Sequence, residues 1–105
     1  MGRREDVGLD RELVDLPPQA RWREWLCRIE AVLFASARPV AREDLARVVG
    51  QGVAVEVLIE DLAADFEGRP YDVVRVGSSW MLRTKPVFAP AIRAAADVGG
   101  QFLNL

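Results

Sequence analysis

The chain has 105 residues, half of them hydrophobic and 29% charged, enough for a single core and too apolar for a wholly disordered protein. A formal net charge of −2 and a pI near 5.1 exclude a global attraction to DNA or to an anionic membrane surface, so nucleic-acid binding would need a local basic patch. With no histidine and one cysteine, Cys27, the chain cannot build a histidine-based catalytic triad, the common zinc sites or an intramolecular disulfide.

Residues 1–20 carry eight charges (Arg3, Arg4, Glu5, Asp6, Asp10, Arg11, Glu12, Asp15) and end in Pro17-Pro18, the composition of a flexible N-terminal arm. Leu13, Val14 and Leu16 are the side chains in it able to dock. No apolar run has the length of a membrane span or a signal-peptide core, and the cytoplasm is the expected compartment.

From Arg21 to about Ala35 the spacing of Trp22, Leu26, Ile29 and Leu33 predicts a first helix, with Trp25 and Val32 widening its apolar stripe to roughly 120°. Cys27, Ala31 and Phe34 form a second apolar row at i, i+4 and i+7. That row is either covered by later elements or left for another chain, and it is the candidate self-association surface. Cys27 by itself reads as a small buried hydrophobe, since no neighbour in sequence marks a reactive thiol. Trp22, Trp25 and Trp80 read as core or half-core residues.

Ser36 to Pro39 breaks the first helix, and Arg42 to Val49 predicts a short second one, stopped by Gly50 and Gly52. A third is expected from about Val53 to Glu67, with Val55, Leu58, Ile59, Leu62 and Phe66 on its inner face and Gly68 and Pro70 after it. The adjacent acids Glu43–Asp44 and Glu60–Asp61 point about 100° apart on a helix and read as solvated faces, not as catalytic pairs.

The period then switches to two, giving strands Tyr71–Val76 and Trp80–Thr84 around a three-residue loop, Gly77-Ser78-Ser79. That loop pairs Val76 with Trp80 and Val74 with Leu82, and places Arg75, Met81, Arg83 and Lys85 on the opposite face. A last helix follows from Pro86 through Phe88 and Ile92 to about Ala96, with Pro90 removing a donor inside it. Residues 97–105 read as a linker or a truncated tail. The expected fold is α+β: a winged helix over residues 21–96, made of a three-helix unit, a two-stranded hairpin wing and a C-terminal helix.

That element order suggests DNA binding, but the residues argue against it. A reading helix presents Arg, Lys, Asn, Gln, Ser or Thr to base edges. The third helix has none of these and carries five acids, Glu56, Glu60, Asp61, Asp65 and Glu67. Arg75, Arg83 and Lys85 on the hairpin are the candidate contacts to phosphate or to a partner, and they equally fit a solvated sheet surface.

Ile29-Glu-Ala-Val-Leu-Phe-Ala-Ser-Ala-Arg-Pro-Val40 followed by Glu43-Asp-Leu-Ala-Arg-Val-Val-Gly50 resembles the first domain of the segregation and condensation protein B family. Leu58–Leu62, Phe66–Arg69, Val74 through Trp80–Thr84 and Pro86–Pro90 continue the resemblance in order, over residues 22–96. Ala37 stands where the family often has Gly, and Ala41 where Ser often caps the second helix. Family members carry a second winged-helix domain after the first, whereas this sequence stops at Leu105.

The resemblance implies a non-catalytic accessory subunit without cofactor or metal. It would self-associate as a homodimer and clasp the kleisin, segregation and condensation protein A, which bridges SMC ATPase heads in chromosome condensation and segregation. A transcriptional regulator using the same fold on DNA is the alternative, and an isolated dimerisation module is a third reading.

Overall fold

From Gln19 to Phe34 the sequence contains neither glycine nor proline, and it forms one helix, α1 (Pro18–Ala35), in the computed structural model, which describes residues 8–96. The helix begins three residues before the expected Arg21. Pro17, in extended geometry, is its N-cap, and Pro18 occupies the first turn, where a missing N–H leaves no bond unmade. The proline pair expected to close the arm therefore opens the helix. At the other end the Ser36 hydroxyl donates to Val32 O at 2.9 Å and the Ser36 N–H to Leu33 O at 3.2 Å.

Two residues, Val40–Ala41, then form β1, a strand too short to leave a periodic signal in sequence. The helix expected over 42–49 is α-helical only as α2 (Arg42–Leu45) and tightens into a 3-10 turn at Ala46–Val48. Arginines take the carbonyls that end this segment. Arg11 donates to Ala46 O and Val49 O, and Arg28 to Val48 O, all within 3.1 Å. The third helix, α3 (Val55–Asp65), is two residues shorter at each end than expected.

Strands β2 (Tyr71–Val76) and β3 (Ser79–Thr84) make the hairpin, and β1 adds to the free edge of β3 to give a three-stranded antiparallel sheet ordered β1-β3-β2. The expected register is off by one. Val76 pairs with Ser79, Arg75 with Trp80, Val74 with Met81 and Val73 with Leu82. The turn has two residues, Gly77 and Ser78, and Gly77 takes φ +63°, the conformation that the first position of a type II′ hairpin requires. Ser79 thus belongs to the strand, and every pairing moves by one residue.

Tyr71, Val73, Arg75, Trp80 and Leu82 consequently share the core-facing side of the hairpin, while Val74, Met81 and Arg83 lie on the other. Pro86 opens a 3-10 turn ending at Phe88, and the α-helix proper, α4, spans Ala89–Ala96. Pro90 then falls in the first turn of α4, where its absent N–H breaks no intrahelical bond.

The core is one apolar cluster. Trp25, Leu26, Ile29 and Leu33 of α1 meet Val55, Leu58, Ile59 and Leu62 of α3, with Leu45, Val49, Phe66 and Trp80 closing the sides. Trp22, Tyr71, Val73 and Leu82 pack against it partly buried, so Trp25 and Trp80 are core residues and Trp22 a half-core one, as expected. Each enclosed Leu or Ile side chain stabilises by roughly 1.5–3 kcal/mol. Leu13 from the expected arm joins the same cluster, whereas Val14 and Leu16 stay exposed. The first seven residues of that arm, and the expected tail at 97–105, lie outside the described residues.

Gly50 is held against this core. A Cβ there would stand 2.8 Å from Trp25 Cζ2 and 3.1 Å from Glu12 Oε1, and Trp25, itself buried, has little room to retreat. Gly50→Ala is expected to destabilise the fold by about 1–3 kcal/mol through overpacking. Urea denaturation should show this as a lower midpoint with an unchanged slope.

Candidate protein-interaction site

An α-helix that buries one stripe must present its remaining sides elsewhere. In α1 the stripe Leu26, Ile29, Leu33 faces the core, which turns Cys27, Ala31 and Phe34 outward. All three are exposed, and Phe34 retains 82% of its accessible surface. Cys27 is thus not the small buried hydrophobe expected, because its position lies about 160° around the helix from Ile29. Phe34 does not pack under the hairpin or α2. It borders a groove of about 210 Å³ formed with Glu30, Tyr71, Leu82 and Thr84, so the row ends where the helix meets the core-facing side of the sheet.

Tyr71 and Leu82 were not singled out as interaction residues in sequence. Their place beside Phe34 depends on the hairpin register, and the register depends on the conformation of Gly77. Once Val73 is set against Leu82, and Tyr71 against Thr84, the neighbourhood follows.

The three hairpin cations do not form one patch. Arg75 lies on the core-facing side, its guanidinium 5.7 Å from the Trp80 ring centre and its Nε donating to Gly77 O at 2.8 Å. Arg83 is exposed on the opposite face, across from Asp72. Lys85 reaches back so that Nζ donates to Phe66 O at 3.0 Å, a carbonyl at the end of α3.

The acids of α3 are largely engaged within the domain. Asp61 accepts the Trp22 indole N–H at 2.6 Å, Asp65 pairs with Arg23 at 2.6 Å, and Glu56 pairs with Arg42. The hydrogen bond from Arg42, aided by the residue's own backbone N–H, holds the Glu56 carboxyl below the ordinary glutamate range. The bond to Glu56 in turn raises Arg42, and the bond to Asp65 raises Arg23. Glu60 and Glu67 also face solvent, so the helix that would enter a major groove presents negative charge. Among the described residues no group of three His, Cys, Asp or Glu side chains is arranged to hold a metal, and no helix is long and apolar enough to cross a membrane.

A family model described as segregation and condensation complex subunit ScpB matches residues 27–101. The chain belongs to this family. A curated relative, segregation and condensation protein B of Desulforamulus reducens, is 38% identical over 80 residues, covering 72% of this chain and 44% of the relative. The ScpB-family chain described here therefore spans less than half the length of that relative.

Among solved structures, a dimer of the ScpB N-terminal domain complexed with ScpA peptide is similar, with a TM-score of 0.62 and 27% identity over 70% of this chain and 95% of that one. A conserved hypothetical protein from Chlorobium tepidum shares the fold, with a TM-score of 0.66 and 23% identity over 73% of this chain and 51% of that one. The winged-helix architecture is thus that of ScpB-type domains.

Two measurements test the electrostatics. Glu56 should titrate by carbon-detected NMR below an ordinary glutamate, and Arg42→Ala should move it back up. Because the folded pKa is lowered, any stability from this pair is present above the unfolded glutamate pKa and fades as pH falls through the lowered value. Duplex DNA should bind weakly and without sequence preference in fluorescence anisotropy at physiological salt. Submicromolar, sequence-dependent affinity would instead favour a regulator.

Proposed function

We propose that this domain is a non-catalytic, protein-binding accessory subunit of a bacterial SMC–kleisin complex, working in the cytoplasm in chromosome condensation and segregation. It self-associates and binds the kleisin, segregation and condensation protein A, and through it SMC. The observation that carries this reading is the likeness to nearly the whole length of a domain that crystallised as a dimer with ScpA peptide.

The surface supports the same reading. A helix row ending in an exposed phenylalanine beside a groove lined by Tyr71 and Leu82 is the kind of apolar anchor that protein interfaces bury. In this proposal Cys27, Ala31 and Phe34 form the self-contact surface. Arg75 and Arg83 are left to partner contacts at opposite faces of the wing, with Lys85 at its base. The acidity of α3 disfavours the competing role on DNA.

Co-expression of the chain with its cognate kleisin, followed by pull-down, tests the partner. Retention of a stoichiometric kleisin is expected, and its failure to co-purify would remove this role. Phe34→Glu tests the self-contact. Placing a charge in an apolar interface should weaken the dimer at least about tenfold in sedimentation equilibrium, with the helical circular dichroism unchanged, because Phe34 is exposed in the monomer. A monomer at high micromolar concentration in the unsubstituted chain would overturn the self-association.

A further inference from the structure

Asp10 to Leu13 precede the residues matched by the family and are held to the domain from several sides. The Arg11 guanidinium donates from Nε to Val49 O at 2.9 Å and from Nη2 to Ala46 O at 3.0 Å. The Glu12 carboxylate accepts the Gln51 N–H at 2.9 Å. Donors also come from α1, since the Trp25 indole N–H bonds to Arg11 O at 2.8 Å and Arg28 Nη1 to Asp10 O at 2.9 Å. Leu13 is 9% exposed within the core cluster, and its own N–H closes onto Asp10 Oδ1 at 3.1 Å. Except for that local turn, these are the contacts of a short peptide in a groove: main-chain carbonyls, one cation, one acid and one apolar anchor.

Leu9 and Val14 on either side are exposed, and the next bonds belong to the entry of α1, where Arg21 Nη2 donates to Leu16 O at 3.0 Å and the Leu16 N–H to Leu13 O at 3.0 Å. Leu13 adopts φ +53°, a left-handed conformation that a leucine takes up only where its surroundings impose it. A segment with one buried side chain and one strained residue opens far more readily than Ile29 or Leu58, which are fully enclosed. Gly50 fits the same picture, because its missing side chain lets Glu12 and Trp25 approach the turn from two sides.

We propose that Asp10–Leu13 is a tethered ligand, a strap that closes the groove between Trp25, Arg28 and the Ala46–Gln51 turn and opens without unfolding the domain. The occupant in the intact chain is its own segment, and the groove takes a peptide of the same chemistry, arginine followed by an acid and leucine. Opening frees the Trp25 indole N–H together with the Ala46 and Val49 carbonyls, which such a peptide satisfies again. This inference is independent of the kleisin role.

Amide and indole hydrogen exchange by NMR on the full chain tests it. In Arg11→Ala/Leu13→Ala, the Trp25 indole N–H and the Gln51 amide should exchange at least about tenfold faster, while the amides of Ile29, Leu58 and Leu62 keep their rates. A synthetic peptide of residues 8–16 at millimolar concentration, comparable to the effective concentration of the tethered segment, should restore protection at both reporters. Equal acceleration of the core amides would make the strap part of the folding unit and overturn the proposal, as would a peptide that leaves the rates unchanged. Arg11→Ala alone, which leaves Leu13 in place, is read by the same criteria if the double variant does not fold.

Discussion

The rest of the structure depends on the burial of one stripe of α1. Leu26, Ile29 and Leu33 are enclosed in the cluster that α1 forms with α3 and β3. Once this stripe is committed, the rotation of the helix about its own axis is fixed. Cys27, Ala31 and Phe34 then cannot turn inward without exposing Ile29, which would forfeit roughly 1.5–3 kcal/mol for that side chain alone. The outward row is a consequence of core packing, and Phe34 at its end is exposed for the same reason.

Charge is arranged around the same contact. Trp22 and Arg23, on the first turns of α1, bond to Asp61 and Asp65 of α3, so polar pairs border the apolar seam between the two helices. Pairs this exposed each contribute well under the value of a buried side chain, because water and salt screen them. Their larger effect is on what the domain can approach. Arg23 and Arg42 are taken up by Asp65 and Glu56, and α3 has no cation of its own to offer a phosphate backbone. An architecture widely suited to DNA here lacks the cations that DNA reading needs on α3, which fits the proposed protein-binding role.

Much of the architecture was legible in sequence because helix periodicity is a long signal. The stripe from Trp22 to Leu33, the inner face from Val55 to Leu62 and the switch to period two at Tyr71 each span several residues, and each was placed to within two or three residues of its observed limits. Features decided by one or two residues were not legible. The turn at Gly77 has two residues instead of three, which moved every cross-strand partner and put Arg75 beside Trp80. Strand β1 is two residues long and exists only because β3 has a free edge. The docking of Arg11 depends on carbonyls more than thirty residues away, which no local pattern in a charged N-terminal segment announces. Cys27, Ala31 and Phe34 are all exposed, so later elements do not cover the row. Its neighbours Tyr71 and Leu82 were hidden by the register error.

Core side chains and exposed apolar side chains are separate sets in this domain, and the separation has a physical basis. Every large side chain that closes the core is buried in one cluster, whereas Phe34, Val87 and Phe88 are exposed outside it. Side chains of the second kind can be changed without opening a cavity, so their substitution leaves the core intact. Trp25 and Trp80 belong to the opposite class. Trp25 fills space against Gly50 and holds the N-terminal segment by its indole N–H, and Trp80 joins β1 to β2 while packing under the Arg75 guanidinium. Loss of either would be felt at the core, at the sheet and at the segments pinned to them together. The domain thus keeps its rigid anchors and its exposed apolar side chains at different positions of the same short helix and hairpin, so the surface proposed to meet a partner can vary without weakening the core beneath it.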